Sequence, residues 1–490
     1  MEPMPKLSRE QYLALMRDKM EAMLGQVADA INEAPDGYII AASEEKVRDL
    51  FADARQQAFE VGLQMRIDAA EAAFSPPKHP KTGKNLRNKG RQEYSVGTIN
   101  GRVALIRIRW HGEDVGSSTP LDAYFDKAEQ TMSVGVREIA CRLNGDGKNF
   151  DKAAENLARA AQIHTSGETL RVLVENEGRQ VLKAQQSGAL PLPWSAADCK
   201  VESDMSPTSD TPDVSQTSPP TTRIYMGSDG VMVPMVTDEE KKKRRQKIKE
   251  KRRRRGKKAK PLPPARPGSD QQYKEFKIVA FYDETQEHRL VVGTKGDCTQ
   301  AGRLMRQQAA RIHLDQADEK VGNIDGSPWI RNQIERQNIP LDALGLDFYH
   351  LADNVKKARR LVYGEEDEAG KTWIEEALHV FKHDGYEAGW QKLLTWRTTL
   401  RGAAKRRAAD ALIGYVSERH DMIRYPEFIA RDWQIGSGPT EATCKTLTAR
   451  LKGSGMRWDA SNAESLMALE ALSQSGLWKN YWRTLLPTAA

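Results

Sequence analysis

A stretch rich in serine, threonine and proline divides this chain into two parts of different character. Residues 187–221 include the run MSPTSDTPDVSQTSPPT, which is typical of a linker between folded regions. Before this stretch apolar residues recur mostly at helical spacing, whereas after it short apolar runs alternate with helical segments. The sequence therefore predicts a mainly helical N-terminal region, a disordered linker and an α/β region.

The part before the linker is predicted to contain two regions. Residues 1–74 have apolar side chains at helical spacing and are predicted to form helices. Residues 93–186 are predicted to begin with a β-hairpin, because Asn100-Gly101 lies between two β-rich runs. Helices are predicted for the remainder of this second region.

A helix, a tight turn and a second helix are predicted toward the end of that region. Thr165 and Glu168 have the spacing of a capping box, which marks the start of the second helix. In a helix-turn-helix whose second helix enters a DNA groove, Thr169, Arg171 and Arg179 would be exposed to the DNA. An ordinary helical bundle fits the same pattern equally well.

The part after the linker is predicted to form one α/β core in two pieces. Residues 222–364 begin with RIYMGSDGVMVPMV, which predicts a strand, a turn and a second strand, and continue with alternating strands and helices. Residues 365–430 are predicted to be wholly helical. Residues 431–490 complete the core with helices, the first of which opens after Ser437 with Pro439 near its first turn.

One segment makes the chain basic. The net charge is +7, but residues 241–260 contain fifteen basic residues and one acidic residue, and without them 60 basic residues face 67 acidic ones. Because like charges repel, residues 238–268 are predicted to form a flexible, extended loop that attracts the phosphates of nucleic acid. A solvated spacer without a partner is the alternative. The predicted DNA contacts in this loop are Arg252, Arg253, Arg254 and Arg255.

Three carboxylates are candidates for metal binding. Asp229 and Asp325 each precede a glycine and follow a short apolar segment, so both are predicted at strand ends, and Glu441 lies near a helix start. Magnesium prefers oxygen ligands, and two ions about 4 Å apart can activate an attacking oxygen and stabilise a leaving one. Each residue also has a simpler interpretation, since Asp-Gly pairs form turns and an acidic side chain stabilises a helix N-terminus.

Four motifs in a fixed order resemble one family. GSDGVMVP resembles its first-aspartate segment, DGSPWI its second-aspartate segment, and GSGPTEATCKTLTARLKGSGMRW the region of its third carboxylate. LDFYHLADNV adds the signature of cysteine or aspartate followed three residues later by histidine. The family is the insertion-sequence transposases of the ISKra group, among the Mutator-like DDE transposases. The resemblance covers residues 220–485 well and 93–185 more faintly.

The resemblance implies both a fold and a reaction. It implies an RNase H-like catalytic domain, with Asp229 on the first strand of a mixed sheet, Asp325 on the fourth, and an all-helical insertion before the helix of Glu441. Those three residues are then expected to hold two Mg²⁺ or Mn²⁺ ions. The implied reaction is hydrolysis at transposon ends followed by attack of the freed 3′ hydroxyl on target DNA, without a covalent enzyme intermediate. Double-stranded DNA and a homodimer or larger homo-oligomer are the implied partners.

His350 is the fourth candidate catalytic residue. The segment from Asp347 to His350 resembles the family signature, which implies an active-site role for the histidine, and Asp347 would orient it as metal-site partners do. A packed, hydrogen-bonded histidine is the alternative.

A basic strip follows Glu441. It is predicted to contact phosphates and to offer an aromatic platform to a base; a solvated helix face with the tryptophan in the core is the alternative. The predicted strip consists of Lys445, Arg450, Lys452, Arg457 and Trp458.

The cysteines and the apolar runs restrict the setting. The four cysteines are far apart in sequence and form no CxxC pair, so neither a disulfide framework nor a zinc cluster is predicted, and a cytoplasmic, nucleoid-associated protein is expected. No apolar run reaches the roughly 18 residues of a membrane helix, and no signal peptide is predicted. Members of the family often have a zinc ribbon where this chain reads IRIRWHGEDVGSSTPLD, without cysteine.

Three functions remain compatible with the sequence. The first is an active DDE transposase. The second is a DNA-binding protein derived from a transposase and catalytically inactive, and the third is an RNase H-like nuclease that cuts DNA without joining it.

Overall fold

The computed structural model is a mixed α/β protein. Its described residues form sixteen α-helices, a three-stranded antiparallel sheet and a mixed five-stranded sheet, so the predicted α/β class is confirmed. The chain divides into two compact units, Met1–Glu177 with Trp482–Ala490, and Gly178–Tyr481. The structure describes residues 4–125, 131–201, 221–254, 261–262, 264 and 266–486.

The first unit begins with a helical pair and a small sheet. Helices α1 (Arg9–Asn32) and α2 (Ile39–Ala73) precede strands β1 (Arg87–Thr98), β2 (Gly101–Gly112) and β3 (Gly116–Ser118). The predicted hairpin is confirmed, since β1 and β2 pair in antiparallel register up to the two residues that join them. Helix α2 packs on β2 around a core of buried apolar side chains. The segment IRIRWHGEDVGSSTPLD, which contains no cysteine, forms the last part of β2 and all of β3.

Three helices follow in the first unit. These are α3 (Val134–Gly145), α4 (Phe150–Ala161) and α5 (Gly167–Gln186), and the boundary between the two units lies within α5. Helix α4 ends at Gln162, which adopts the left-handed conformation common at helix C-termini. The predicted helix, turn and helix are therefore present.

The cap of α5 differs from the predicted capping box. The hydroxyl of Ser166 accepts a hydrogen bond from the backbone N–H of Thr169 at 3.1 Å, so the cap is one residue later than Thr165. Glu168 instead pairs with Arg171. Thr165 and Ser166 both have the side-chain oxygen that a helix cap requires, and the sequence spacing alone does not distinguish them.

The second unit is built on the five-stranded sheet. Its strands are β4 (Arg223–Pro234), β5 (Tyr273–Tyr282), β6 (Arg289–Thr294), β7 (Glu319–Ile324) and β8 (Ala343–Leu346). The spatial order is β6-β5-β4-β7-β8, which is 3-2-1-4-5 in the unit's own numbering. Strands β4, β7 and β8 are parallel, whereas β5 is antiparallel to both of its neighbours.

The first strand of this sheet is longer than predicted. The sequence predicted a strand, a turn and a strand around Asp229-Gly230, but β4 is one strand that pairs with β5 over ten successive residues. Asp229 lies opposite Ile278, so its predicted position at a strand end was wrong. Continuous pairing with β5 keeps the Asp-Gly pair extended, which local turn propensity could not indicate.

Helices cover both faces of the sheet. On one face lie α7 (Cys298–Arg311) and α8 (Pro328–Arg336), which places the Trp329 ring over the Lys277 ammonium group. On the other face lie α14 (Gly438–Ala449) and α15 (Ala460–Gln474). The sheet is therefore the middle layer of an α/β/α arrangement.

Helices also fill the interval between β8 and α14. Helix α9 (Phe348–Tyr363) follows β8 directly, and residues 365–430, predicted to be helical, contain four more α-helices. Helix α16 (Trp478–Thr484) comes last. Among the described residues, none of the helices combines the length and the apolar character that crossing a membrane requires. The four helices are α10 (Glu368–His383), α11 (Tyr386–Thr399), α12 (Ala403–Ser417) and α13 (Tyr425–Ala430).

The basic segment between β4 and β5 is not an extended loop. Residues Asp238–Arg254 form helix α6, none of whose residues is buried, and residues 255–260 lie outside the described part of the chain. Three acidic residues in its first turn and four basic residues in its last complement the helix dipole. Lysine, arginine and glutamate also favour helices, and these effects exceed the charge repulsion on which the loop prediction rested.

The predicted linker is partly structured. Its residues 187–201 are described, and Leu190, Ala196 and Cys199 among them are buried, so these residues are not a disordered linker. These buried side chains pack within the fold, which explains why this part of the predicted linker is structured. The remainder, residues 202–220, lies outside the described residues.

Candidate active site

Three aspartates fall in one row when the register of the parallel strands is extended beyond their ladders. Each paired residue of β4 lies opposite the β7 residue whose number is 96 higher, as 223 lies opposite 319. Each paired residue of β7 lies opposite the β8 residue whose number is 22 higher, as 321 lies opposite 343. The same offsets relate Asp229 to Asp325 and Asp325 to Asp347. Hydrogen-bonded pairing of β4 with β7 ends three residues before this row. The row therefore lies where the strands leave the ladder, at the carboxyl ends of β7 and β8.

Asp229 is half-buried and senses the other candidate residues. Its Oδ1 accepts a hydrogen bond from the N–H of Gly230 at 2.6 Å. Burial raises the pKa of Asp229, and the negative charges of Asp325 and Glu441 raise it further, whereas His350 opposes them. Asp229 is therefore near enough to each of the other three predicted catalytic residues to interact with it electrostatically.

Asp325 is fixed by the turn that follows β7. Its Oδ1 accepts the Ser327 N–H at 2.8 Å and its Oδ2 accepts the Ser327 hydroxyl at 2.6 Å. Between them Gly326 has φ of +82°, and a Cβ there would lie 2.6 Å from the Arg419 side chain. Glycine is thus required both by the left-handed backbone and by the close approach of Arg419.

Asp347 joins two elements of the site. It is buried, and its Oδ1 accepts the backbone N–H groups of Tyr349 and His350, which caps α9. Its Oδ2 accepts both the N–H and the hydroxyl of Ser437, in the segment immediately before α14. One carboxylate thus fixes the helix of His350 relative to the start of the helix of Glu441.

His350 and Glu441 meet directly. The His350 Nε2 lies 3.2 Å from the Glu441 Oε1, and these side chains are 40% and 56% exposed, which leaves the pair open to a substrate. Possible ligand atoms of Asp347, His350 and Glu441 lie within 4.8 Å of one another. Within the described residues, neither Asp229 nor Asp325 belongs to a group that close.

A close helix–strand contact brings Glu441 toward Asp229. A Cβ at Gly227 would lie only 1.8 Å from the Oγ1 of Thr440, so α14 contacts the bare backbone of β4 there. Asp229 is two residues beyond this contact on the strand, and Glu441 is one residue beyond it on the helix. The contact therefore sets the separation of the two carboxylates.

Cys444 and Ser437 contribute to the site without having been predicted. Burial, and then the negative charge of Asp229, raise the pKa of the buried Cys444 thiol. Cys444 lies three residues after Glu441, so helical spacing offered a signal for it. Ser437 was noted only as the residue before a helix, and nothing local indicated that it binds Asp347.

The predicted strip after Glu441 is only partly exposed. Lys445 and Lys452 are exposed, but Trp458 is 6% exposed and its Nε1 donates to the Leu451 carbonyl at 2.9 Å. The half-buried Arg450 guanidinium lies 5.5 Å from the Trp458 ring. Trp458 is a core residue, so the predicted aromatic platform is wrong. Its apolar surface packs inside the unit, a position that the short sequence motif did not reveal.

The remaining predicted DNA contacts lie on or beside α6. Arg252, Arg253 and Arg254 are in its last turn, and Arg255 lies outside the described residues. Arg457 pairs with Glu240 near the start of α6. Basic side chains thus extend from the end of α6 to the segment after α14.

The predicted DNA-recognition residues on α5 are only partly accessible to DNA. Arg171 pairs with Glu168 at 2.6 Å and with Glu175 at 2.7 Å, which raises its pKa. Thr169 is exposed. Arg179, beyond the unit boundary, is exposed and donates to Asn462 at 3.4 Å. DNA recognition by α5 stays a prediction.

The donor set suits a hard cation. Asp229, Asp325 and Glu441 offer oxygen only, which Mg²⁺ and Mn²⁺ prefer. The pKa of Asp229 is raised first by burial and then by the charges of Asp325 and Glu441, and a divalent ion would stabilise the charged form of this carboxylate. The residues therefore fit metal binding.

Asp229→Asn is expected to stabilise the metal-free protein at neutral pH. Because the folded-state pKa of Asp229 is raised, its contribution to stability is fully present below the unfolded-state pKa and is lost as pH rises through the folded-state pKa. Asparagine avoids that loss, so a gain on the order of 1 kcal/mol, about 1–2 °C in Tm for a protein of this length, is expected at pH 7. Calorimetry with EDTA at pH 7 and pH 3 measures it, and the gain should vanish at pH 3. Equal or lower stability at pH 7 would contradict the charge argument.

Comparisons with known proteins add little. No protein-family model and no curated protein matches this chain. Among solved structures, the Drosophila P element transposase strand transfer complex is similar over 73% of this chain and 81% of that chain, at 10% identity and a TM-score of 0.22. A TM-score this low establishes neither a shared fold nor a shared activity.

Proposed function

We propose that this chain is a DDE-type DNA transposase whose second unit is an RNase H-like catalytic domain. The observation that supports this most is that Asp229, on the central strand of a sheet of order 3-2-1-4-5, lies near Asp325, His350 and Glu441. The motif resemblance names the same carboxylates independently of their geometry.

In this proposal Asp229, Asp325 and Glu441 hold two Mg²⁺ or Mn²⁺ ions. Such ions, when bound, activate the attacking oxygen and stabilise the leaving one. The chain's own contribution is to position the donors: Asp229 is fixed by strand β4, Asp325 by the turn after β7, and Glu441 by the contact of α14 with β4. The exposed His350 lies beside Glu441, where it can orient that carboxylate or a scissile phosphate. Asp347 positions both through backbone and hydroxyl contacts.

The proposed reaction has two balanced steps. In the first, a water oxygen attacks phosphorus at the transposon end, the bond to the 3′ oxygen breaks, and that oxygen leaves as a 3′ hydroxyl. In the second, this hydroxyl loses its proton and attacks a phosphate of target DNA, whose own 3′ oxygen leaves. The partner is double-stranded DNA, and a homodimer or larger assembly would hold the two ends together.

The test is an assay of the full-length protein with Mg²⁺ on duplexes taken from the DNA flanking its coding sequence on both sides. Cleavage at defined positions with joining to a target plasmid is the expected result. Cleavage without joined products would replace the proposal with a nuclease. Binding without cleavage, with Mn²⁺ as well as Mg²⁺, would replace it with a catalytically inactive DNA-binding protein.

Helix α6 is proposed to bind DNA without sequence preference. Replacing Arg252, Arg253 and Arg254 by glutamine is expected to weaken DNA binding and to flatten its salt dependence. Each phosphate contact contributes about 0.9 to the slope of log K against log salt, so the slope should fall by up to about 2.7. Titrations of a random-sequence duplex at several salt concentrations measure this slope.

A matched control uses two exposed arginines elsewhere in the second unit. Arg303→Gln with Arg306→Gln on α7 should leave the slope unchanged, because α7 lies on the sheet face away from α14. An unchanged slope in the α6 variant would remove α6 from the DNA-binding surface.

A further inference from the structure

A second group of ligand-type side chains lies away from the carboxylate site. Asp283 follows β5 directly and His288 precedes β6, so both belong to the turn between these strands, and Cys199 lies in the segment before β4. Possible ligand atoms of these three residues lie within 4.8 Å of one another. The turn is five residues along β5 from Ile278, the residue opposite Asp229.

The three side chains are held in place by their surroundings. Cys199 is 1% exposed and Asp283 is 5% exposed. The His288 Nδ1 lies 2.7 Å from the Asp283 Oδ2, and the His288 backbone N–H donates to Oδ1 of the same carboxylate. The Trp194 ring packs beside the imidazole, with ring centroids 5.4 Å apart. The cluster is therefore partly organised before any ligand arrives.

We propose that Cys199, Asp283 and His288 bind a zinc ion. Thiolate sulfur, imidazole nitrogen and carboxylate oxygen are the donors that zinc takes in proteins, whereas Mg²⁺ prefers oxygen alone. The mixed donor set thus distinguishes this site from the all-oxygen carboxylate site, which is proposed for a different metal.

The geometry requires one small movement. Tetrahedral zinc with bonds of about 2.0–2.3 Å keeps its ligand atoms roughly 3.3–3.8 Å apart. The nitrogen and oxygen that now lie 2.7 Å apart must therefore separate by about 0.6 Å as the ion enters between them. The thiol proton passes to water, and the imidazole stays neutral because Nε2 takes up a proton from water as Nδ1 loses its own. His288 is 29% exposed, so it has room to move and leaves the fourth position open to water.

A nucleophilic role for Cys199 fits less well. An arrangement of cysteine, histidine and aspartate also occurs in cysteine hydrolases, but a nucleophile must reach its substrate. Cys199 is almost fully buried, and its thiol donates to the Ser195 carbonyl at 3.6 Å. A buried ion is consistent with this burial. It would join the segment that leads into β4 to the β5–β6 turn.

Cobalt provides the test, because Co²⁺ takes zinc ligands and a thiolate ligand produces a charge-transfer absorption band. Full-length chelator-treated protein is titrated with Co²⁺ and then with Zn²⁺. The expected result is one thiolate–cobalt band per chain that zinc abolishes. Cys199→Ser should lose the band, and Asp283→Asn, which retains the thiol and the side-chain shape, should weaken cobalt binding at least 10-fold.

Two other cysteines serve as controls. Cys298→Ser, on α7, and Cys444→Ser, beside Asp229, should both retain the band. No band in the wild-type protein, or a band that persists in Cys199→Ser, would overturn the proposal. Loss of the band in Cys444→Ser alone would also overturn it, by assigning the ion to the carboxylate site. None of these readouts depends on DNA cleavage, so the proposed transposase activity can fail without affecting them.

Discussion

Asp229→Asn, Asp325→Asn and Glu441→Gln are each expected to abolish Mg²⁺-dependent DNA cleavage while DNA binding persists. Each substitution removes one anionic oxygen donor and retains the shape of the side chain. A loss of roughly 10³-fold or more is expected, which corresponds to about 4 kcal/mol in the barrier. Single-turnover cleavage and filter binding on the same duplex separate the chemical step from DNA affinity.

The control for charge removal lies close to the site. Asp353→Asn changes a 74%-exposed carboxylate on α9, three residues after His350, and should cleave at the wild-type rate. If one of the three variants cleaves normally, that residue is not a metal ligand. If all three lose DNA binding as well, the loss of cleavage does not report on chemistry.

Gly227→Ala is expected to reduce cleavage about 100-fold although residue 227 touches no substrate. The new methyl group would lie 1.8 Å from the Thr440 Oγ1 and 2.8 Å from its Cβ, so α14 must move away from β4. A displacement of about 1 Å at Glu441 suffices for a loss of that size. Overpacking should also lower the free energy of unfolding by about 1–3 kcal/mol. Cleavage rates and chemical denaturation measure the two effects.

Two variants separate displacement of the helix from general destabilisation. Gly293→Ala places a methyl group against the flexible end of Met467 on the same sheet face, so it should retain cleavage. Adding Thr440→Ala to Gly227→Ala removes the closest clashing atom and should restore part of the activity. Wild-type cleavage by Gly227→Ala would show that the contact does not position Glu441.

The sequence predicted the α/β class and most helices and strands, because alternating apolar runs and helical periodicity are local signals. It could not predict that β4 continues through Asp229-Gly230, since a partner strand imposes that conformation from 49 residues away (229 with 278). The basic segment was mispredicted for a different reason. Charge repulsion suggested an extended loop, whereas helix propensity and complementary end charges favour α6.

In the candidate site, too, local motifs identify some residues, whereas the roles of others depend on the fold. Motifs identify Asp229, Asp325, His350 and Glu441, whereas the proximity of Asp229 to the other three is a property of the fold. The roles of Gly227, Ser437 and Cys444 depend on how α14 packs, which no single motif encodes. The sequence predicts no metal site at Cys199, because no second cysteine lies near it in the chain, yet the fold brings it to Asp283 and His288.

The placement of α6 has a consequence for how this protein can change over evolutionary time. It occupies the connection between β4 and β5, where two residues would suffice for a hairpin and this chain has 38 (272 − 234). Each doubling of such a loop costs only about 0.6 kcal/mol in closure entropy. The partly exposed ion pairs at the base of α6 add little stability. Selection can therefore lengthen, recharge or delete this segment while the ladder beside Asp229 remains, so that the proposed affinity for DNA and the proposed phosphoryl transfer can evolve separately.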